Sequence, residues 1–134
     1  MKKVIVFGTF DRLHPGHVNF FSQAKNLGDY LIVVVATDQN VLKAKGSLPK
    51  LTQEERLAGV ERDPLVDKAL LGSETMDYIT TLKVEAPEIL ALGYDQKFDE
   101  STLRQKLDTT GLEDIKIVRL KPHEPHKYKS SLLN

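Results

Sequence analysis

Five short apolar runs, each bounded by turn-forming residues, recur along the chain. They occupy residues 3–8, 30–36, 66–72, 88–93 and 115–120. The second and fourth, YLIVVVA and EILALG, are apolar almost throughout, as is typical of strands that are covered on both faces. The pattern therefore predicts strands buried in the middle of a layered domain.

Segments with helical spacing lie between these runs. They are predicted at residues 15–28, 52–62, 74–84 and 99–111. The first places several apolar residues on or near one face of a helix: Val18, Phe21, Ala24 and Leu27.

Capping signals support three of these helices. Gly28 and Gly111 stand where the first and last should stop. Thr52 and Glu55 have the spacing of a capping box at the start of the second.

Strands that alternate with helices imply right-handed crossovers and a parallel sheet. We therefore predict an α/β fold: a single Rossmann-like, doubly wound domain, with a five-stranded parallel sheet and helices on both faces, spanning residues 1–134. Ligands of such folds bind beyond the carboxyl ends of the strands, where the strand order reverses. Residues 43–50 and 121–134 fit no element, and as lysine-rich segments they are candidates for mobile lids.

Composition narrows the class of function. Of 134 residues 40% are hydrophobic, and 19 basic side chains balance 19 acidic ones, whereas general nucleic-acid binders have a basic excess. The absence of cysteine excludes disulfides, thiolate metal sites and cysteine nucleophiles. The first apolar run is too short for a signal peptide, and none approaches the roughly 20 residues that cross a bilayer. We therefore predict a cytoplasmic protein without nucleic-acid or membrane partners.

The stretch GTFDRLHPGH, residues 8–17, follows the first predicted strand. Gly8 allows a close approach of a ligand to the backbone, and Pro15 suits the first position of a helix. The N–H groups at that helix start form an anion site, which Gly16 leaves uncovered. His14 and His17 are three residues apart and can converge on one phosphate.

This arrangement suits attack on the α-phosphorus of a nucleotide, because fixed donors stabilise the charge that develops as pyrophosphate leaves. Imidazole donates a hydrogen bond when neutral and carries charge when a phosphate raises its pKa. The alternatives are a helix cap or surface residue for each histidine, and a zinc site, for which a third ligand of clear spacing is missing. A purely structural α/β domain leaves the sequence HPGH unexplained.

GTFDRLHPGH resembles the signature of the cytidylyltransferase-like nucleotidyltransferases. The further segments LGDYLIVVVATD, TQEERL, VDKALLGS and LGYDQKFDE resemble the archaeal FAD synthase subgroup, in the same order and over most of residues 1–120. The segment LGYDQ favours adenylyl over cytidylyl transfer. The resemblance implies transfer of AMP from ATP to FMN, with a divalent cation, most plausibly Mg²⁺, and a homodimer.

The resemblance also implies roles for single residues in nucleotide binding. Thr9 and Phe10 would contact the nucleotide through their backbone, and Asp95 would contact it on the far side of the switch point. The phosphates would be held by the four residues of HPGH: His14, Pro15, Gly16 and His17.

Other positions carry two interpretations each. Lys43 and Lys45 match mobile lysines that reach the triphosphate, or belong to a solvated loop. Arg56 matches the arginine of the EER helix, or forms an intrahelical pair with a glutamate. Asp11 contacts the ligand or stabilises the turn. We count His14, His17 and Lys45 as the catalytic candidates.

The acceptor and the C-terminal segment are less determined. Candidates for a flat flavin slot are Phe10, Leu48 and Tyr94, which serve equally well as core or surface residues. Residues 121–134 end earlier than the family pattern, in which a Ser/Thr-rich segment and basic residues close over the phosphates. One alternative to an FAD synthase is an enzyme of the glycerol-3-phosphate cytidylyltransferase type, which uses CTP, because nothing in composition or spacing separates adenine from cytosine. The other is a nucleotide-binding module without turnover, which the short C-terminal segment favours.

Overall fold

A computed structural model describes residues 1–11, 13, 15–73, 78–94, 96 and 99–121, with only the backbone of residues 15 and 16. This part of the chain has five strands and five helices, with two helices, α2 and α3, between β2 and β3. The elements are β1 (Lys3–Gly8), α1 (Pro15–Asn26), β2 (Tyr30–Val35), α2 (Asp38–Lys45), α3 (Gln53–Glu61), β3 (Lys68–Leu71), α4 (Tyr78–Glu85), β4 (Ile89–Leu92), α5 (Glu100–Thr109) and β5 (Lys116–Arg119). All five predicted strands are confirmed. None of the described helices is long and apolar enough to cross a membrane.

The strands form one parallel sheet in the order β3-β2-β1-β4-β5. The order reverses between β1 and β4, so the ligand crevice of a doubly wound fold lies beyond the carboxyl ends of these two strands. The predicted fold class is confirmed.

Each face of the sheet has its own buried core. Val4 and Val6 of β1 pack with Phe21 of α1 and Val60 of α3 on one face. Ile5, between them in sequence, packs on the other face among residues of α4 and α5. Neighbouring residues of a strand point to opposite faces, so the apolar runs read from the sequence supply both cores.

The pairing of β1 with its two neighbours differs in extent. β1 pairs with β2 from Lys3 to Gly8, but with β4 only through Val4 with Ile89 and Ile5 with Leu90. The carboxyl half of β1 therefore has no ladder on its β4 side, at the position where the crevice is expected.

Helix α2 was not among the predicted helices, and it includes residues 43–45 of the segment expected to fit no element. The signal was available in TDQNVLKAKG. The Thr37 side chain accepts from the backbone N–H of Asn40, and Gly46 ends the helix in the left-handed conformation. Because the segment is rich in lysine, it was interpreted as a loop. It is a short helix, and its buried residues are Asn40 and Val41.

Val18 does not belong to the buried face of α1, as was predicted, since it is 48% exposed. Phe21 and Ala24 are fully buried, and Phe20 and Leu27 are partly buried against the same core. At about 100° per residue, Phe20, Ala24 and Leu27 all lie on the side of Phe21 that faces away from Val18. The apolar face is thus rotated relative to the prediction.

The predicted helix ends are largely confirmed. Thr52 and Glu55 form both hydrogen bonds of the capping box, and Gly111 follows α5 with a φ of +81°. The third predicted helix is observed from Tyr78, and residues 74–77 lie outside the described part. Gly28 follows α1 for a reason of space, because a Cβ there would lie 2.6 Å from the carbonyl oxygen of Lys2.

Candidate active site

The loop after β1 turns inward at Phe10. Its φ of +52° is uncommon for a residue with a side chain, and the side chain is only 6% exposed. Its ring meets His17 edge-on, with 5.5 Å between ring centroids, and lies 5.4 Å from Phe21. The ring is therefore part of the core, which was one of the interpretations open for Phe10.

Gly8 is required by this ring. A Cβ at Gly8 would lie 2.6 Å from Cζ of Phe10. The sequence suggested that Gly8 makes room for a ligand, but in the structure it makes room for Phe10. The Phe10 ring therefore lies between Gly8, at the end of β1, and His17, in the first turn of α1.

Helix α1 begins at Pro15, in the predicted first position, and is 12 residues long. The N–H groups of its first turn have no partner within the helix and point toward the loop after β1, because backbone N–H groups point to the N-terminal end of a helix. His17 lies in its first turn, partly buried against Phe10. The start of α1 and His17 thus lie next to each other in the motif, and their contact with phosphates stays a prediction. His14 lies outside the described residues, so its place in the site stays a prediction.

Arg56 of α3 is the largest fully buried side chain in the described part of the chain, at 1% exposure. Its Nη1 donates to the carbonyl oxygens of Thr9 and Ala36 at 2.8 and 2.7 Å, and its Nε donates to that of Leu51 at 3.2 Å. Its Nη2 pairs with Asp38 at 2.7 Å. One guanidinium thus joins the loops after β1 and β2 to the start of α3.

The proposed intrahelical pair of Arg56 is therefore wrong, since its acid partner is Asp38, from another helix. Asp38 is also tied to Gln53, because each residue's side chain accepts from the other's backbone N–H, at 2.9 and 3.3 Å. Sequence reasoning missed Asp38. Its place after the N-cap of α2 was visible, but its partner 18 residues away was not.

Asp11 has the structural role that was one of its two interpretations. Its carboxylate accepts from the backbone N–H groups of Lys50 and Leu51, both at 2.8 Å. The segment that leads into α3 is therefore attached to the loop of the phosphate motif from two directions, through Asp11 and through Arg56.

Lys45, the last residue of α2, approaches the same loop. Its exposed Nζ lies 3.5 Å from Oγ1 of Thr9. Lys43 is two residues earlier, about 200° away around the helix, so the two ammonium groups leave the helix on different sides. The structure thus brings Lys45 to Thr9 of the motif, and its contact with the triphosphate stays a prediction.

A short turn stands on the other side of the crevice, after β4. The Gln96 side chain spans the gap: its Nε2 donates to the carbonyl oxygen of Phe7 on β1 at 2.8 Å, and its Oε1 accepts from the N–H of Gly93 at 2.8 Å. Gln96 was quoted in the motif LGYDQ but was not predicted as a site residue. Asp95, which was predicted to contact the nucleotide, lies outside the described residues.

The start of α5 is stabilised next to this turn by Asp99. Its side chain accepts from the backbone N–H groups of Ser101 and Thr102. The side-chain hydrogen bond from Thr102, with these backbone bonds, holds the pKa of Asp99 below its usual value. The carboxylate is thus ionised where the helix dipole favours negative charge.

These elements define a class of protein. A doubly wound parallel sheet whose first strand leads through a loop into a helix N-terminus at the switch point is the architecture of the α/β nucleotide-binding proteins. The sequence model described as cytidylyltransferase-like matches residues 5–133, and the chain belongs to that family.

Individual relatives agree with this. An FAD synthase from Ferroglobus placidus is 45% identical over 131 residues, which are 98% of this chain and 84% of the relative. An FAD synthase from Methanosarcina barkeri is 49% identical over 113 residues, which are 84% of this chain and 78% of the relative. The crystal structure of a lipopolysaccharide core biosynthesis protein from Thermoplasma volcanium has a TM-score of 0.87 and 40% identity, covering 92% of this chain and 99% of that one. The predicted resemblance is confirmed, and with it the prediction of a nucleotidyltransferase.

Replacing Arg56 should destabilise the domain strongly. Arg56→Met leaves three backbone carbonyls and a carboxylate without their buried donor, which should lower the free energy of unfolding by about 3–5 kcal/mol. Asp38→Asn should lower it less, by about 1–3 kcal/mol, because it leaves the buried guanidinium without its counter-charge but keeps a side-chain oxygen that can accept from Nη2.

Urea denaturation measures both effects. Arg62→Met is the control, since this arginine follows the same helix on the exposed surface and should change stability by less than about 0.5 kcal/mol. Equal free energies of unfolding for Arg56→Met and Arg62→Met would contradict the role assigned to Arg56.

Proposed function

We propose that the protein is an FAD synthase that transfers AMP from ATP to FMN and releases pyrophosphate. The observation that carries this proposal is the similarity to curated FAD synthases, at 45% and 49% identity over 98% and 84% of the chain. In the reaction, a phosphate oxygen of FMN forms a bond to the α-phosphorus of ATP. The bond from that phosphorus to the oxygen bridging to the β-phosphorus breaks, and pyrophosphate leaves.

The chain's own groups stabilise the charge that moves onto the leaving pyrophosphate. The N–H groups at the start of α1 bind phosphate oxygens, His17 donates a hydrogen bond, and Lys45 neutralises charge from above Thr9. The resemblance adds His14 to the phosphate site and Asp95 to the nucleotide. No covalent intermediate is needed, because positioning and charge stabilisation suffice for this class of reaction.

We assign the divalent cation to the nucleotide. Among the described residues, no group of three or more His, Asp or Glu side chains could hold a metal ion. This fits Mg²⁺ that enters as MgATP and takes most of its ligands from phosphates and water, as Mg²⁺ commonly does. A location in the cytoplasm and a homodimer stay predictions, as does closure of the site by residues 121–134, of which only Lys121 is described.

Release of pyrophosphate tests the proposed function. Each of the four ribonucleoside triphosphates is offered with FMN or with glycerol 3-phosphate, in the presence of Mg²⁺. We expect release only with ATP and FMN, with FAD formed in equal amount. Release only with CTP and glycerol 3-phosphate would identify the cytidylyl-transferring alternative, and nucleotide binding without release would identify a module without turnover. Either result would contradict the proposal.

His17→Ala should lower kcat by about 10²–10³-fold, the usual cost of losing one donor aimed at developing charge. Circular dichroism should stay that of the wild type, since alanine is a good helix former and the core rings of Phe10 and Phe21 stay in place. His17→Asn, which keeps an N–H donor, should recover part of the rate. A kcat unchanged in His17→Ala would show that the motif does not act on the phosphates.

Lys45→Ala and Lys43→Ala form a matched pair on one helix. Only Lys45 lies at the phosphate loop, so its loss should raise KM for ATP and lower kcat, together reducing kcat/KM by about tenfold or more. Lys43→Ala should change kcat/KM less than about twofold, because an exposed charge elsewhere is largely screened. Steady-state kinetics with ATP and FMN give both values, and equal losses in the two variants would remove the distinction between these lysines.

A further inference from the structure

The turn after β4 is held by an unusual number of hydrogen bonds. The N–H of Gln96 donates to the carbonyl oxygen of Gly93 at 3.1 Å, which closes a four-residue turn over residues 93–96. The Gln96 side chain closes it a second time through the N–H of Gly93 and attaches it to Phe7 of β1. The turn is thus fixed at the switch point, on the opposite side of β1 from β2.

Arg119, the last residue of β5, holds the same turn from behind. Its Nη1 donates to the carbonyl oxygen of Gly93 at 2.8 Å and to that of Gln96 at 2.7 Å. Its Nε and Nη2 lie 3.0 and 2.9 Å from Oε2 of Glu100, in the first turn of α5. One guanidinium thus fixes both ends of the turn and is itself oriented by a carboxylate.

We propose that Arg119 is a positioning residue that sets the base selectivity of the nucleotide site by fixing the turn 93–96. This rests on the proposed function. The phosphates occupy the start of α1, and a mononucleotide bound there extends across the switch point toward β4. The base then meets this turn at Tyr94, whose backbone N–H and C=O can read its edge. The N–H and C=O groups of Gly93 and Gln96 are already hydrogen-bonded within the turn or to Arg119.

Base selectivity depends on the position of the turn, because its hydrogen-bonding groups must be closely aligned with one base to reject the other. Adenine and cytosine differ in the pattern and spacing of their donors and acceptors, and a displacement of about 1 Å can cost as much as 10²-fold in rate. A free turn would shift by that much with little cost. Arg119 acts on the base only through the turn, by its hydrogen bonds to Gly93 and Gln96, and Glu100 orients it.

Only arginine suits this geometry. Its planar guanidinium presents five donors in a fixed fork, so it can face two carbonyls and a carboxylate together. Lysine keeps the charge but concentrates its donors on one atom. Arg119→Lys therefore tests geometry without changing net charge.

Arg104 is a matched control. It lies on α5, its side chain is 34% exposed against 28% for Arg119, and it pairs with Asp108. It also donates to backbone carbonyls, those of Leu112, Glu113 and Ile115, but in the loop that precedes β5, at the amino end of the sheet. Arg104→Lys should thus disturb a similar network far from the crevice.

The experiment compares wild type, Arg119→Lys and Arg104→Lys as full chains. Calorimetry gives the affinities for ATP, CTP and inorganic pyrophosphate with Mg²⁺, and kinetics with FMN give kcat/KM for ATP and CTP. In Arg119→Lys we expect the preference for ATP over CTP to fall by about tenfold in both measurements, with pyrophosphate affinity unchanged. Arg104→Lys should keep the wild-type preference.

Three results would overturn the inference: an unchanged ATP preference in Arg119→Lys, an equal loss in Arg104→Lys, or a parallel loss of pyrophosphate affinity. If Arg119→Lys does not fold, Glu100→Gln replaces it, because it removes the charge that orients the guanidinium, and its ATP preference should fall by about threefold. An unchanged preference in that variant overturns the inference as well. Failure of the proposed function is a separate outcome, in which wild type binds ATP in preference to CTP but makes no FAD. The ratio of the ATP and CTP affinities in wild type and in Arg119→Lys would then decide the role of Arg119.

Discussion

The buried guanidinium of Arg56 is the interaction on which the arrangement of the phosphate side depends. A charge with 1% exposure is costly unless it is paired and its nitrogens are hydrogen-bonded. Arg56 meets this condition with acceptors from the loops after β1 and β2 and from the start of α3. The charge therefore specifies one arrangement of the three segments, and that arrangement carries Thr9 to the side chain of Lys45.

A parallel sheet creates the need for such a residue. Beyond the carboxyl ends of its strands the ladder stops, and the last carbonyl groups lose their regular partners. In this protein, two arginines supply donors at that edge, Arg56 beside β1 and β2 and Arg119 beside β4 and β5. Each binds two carbonyls through Nη1 and is oriented by a carboxylate of another element. The crevice between them is left free for a ligand.

A side chain also supplies the missing hydrogen bond between β1 and β4. Their ladder stops at Ile5 and Leu90, and the Gln96 carboxamide replaces the next connection by reaching Phe7. A side chain that bridges two strands keeps them joined while their backbones separate. The two strands are thus joined by a side chain beyond the point where their backbone ladder ends.

Much of the fold could be predicted from the sequence because its signals are local. Apolar runs identified the five strands, and the spacing of Thr52 and Glu55 identified a helix start. The phosphate motif was recognisable for the same reason, since His17 and the start of α1 are neighbours along the chain.

The remaining features arise from contacts between distant segments. The partners of Arg56 and Arg119 lie as many as 47 and 26 residues away, and no local pattern marks them. Gly8 was read as space for a ligand because the inward turn of Phe10, with its positive φ, is set by packing against α1. Helix α2 was not predicted, because the lysines of the segment indicated a solvated loop although Thr37 and Gly46 are good capping residues.

A crystal structure of the protein with Mg²⁺ and a non-hydrolysable ATP analogue tests most directly that nucleotide binds across this switch point. We predict phosphate oxygens within hydrogen-bonding distance of the N–H groups at the start of α1 and of His17, with Lys45 directed at the triphosphate and the adenine edge at the turn 93–96. A triphosphate bound away from α1, with the crevice between β1 and β4 empty, would contradict this assignment.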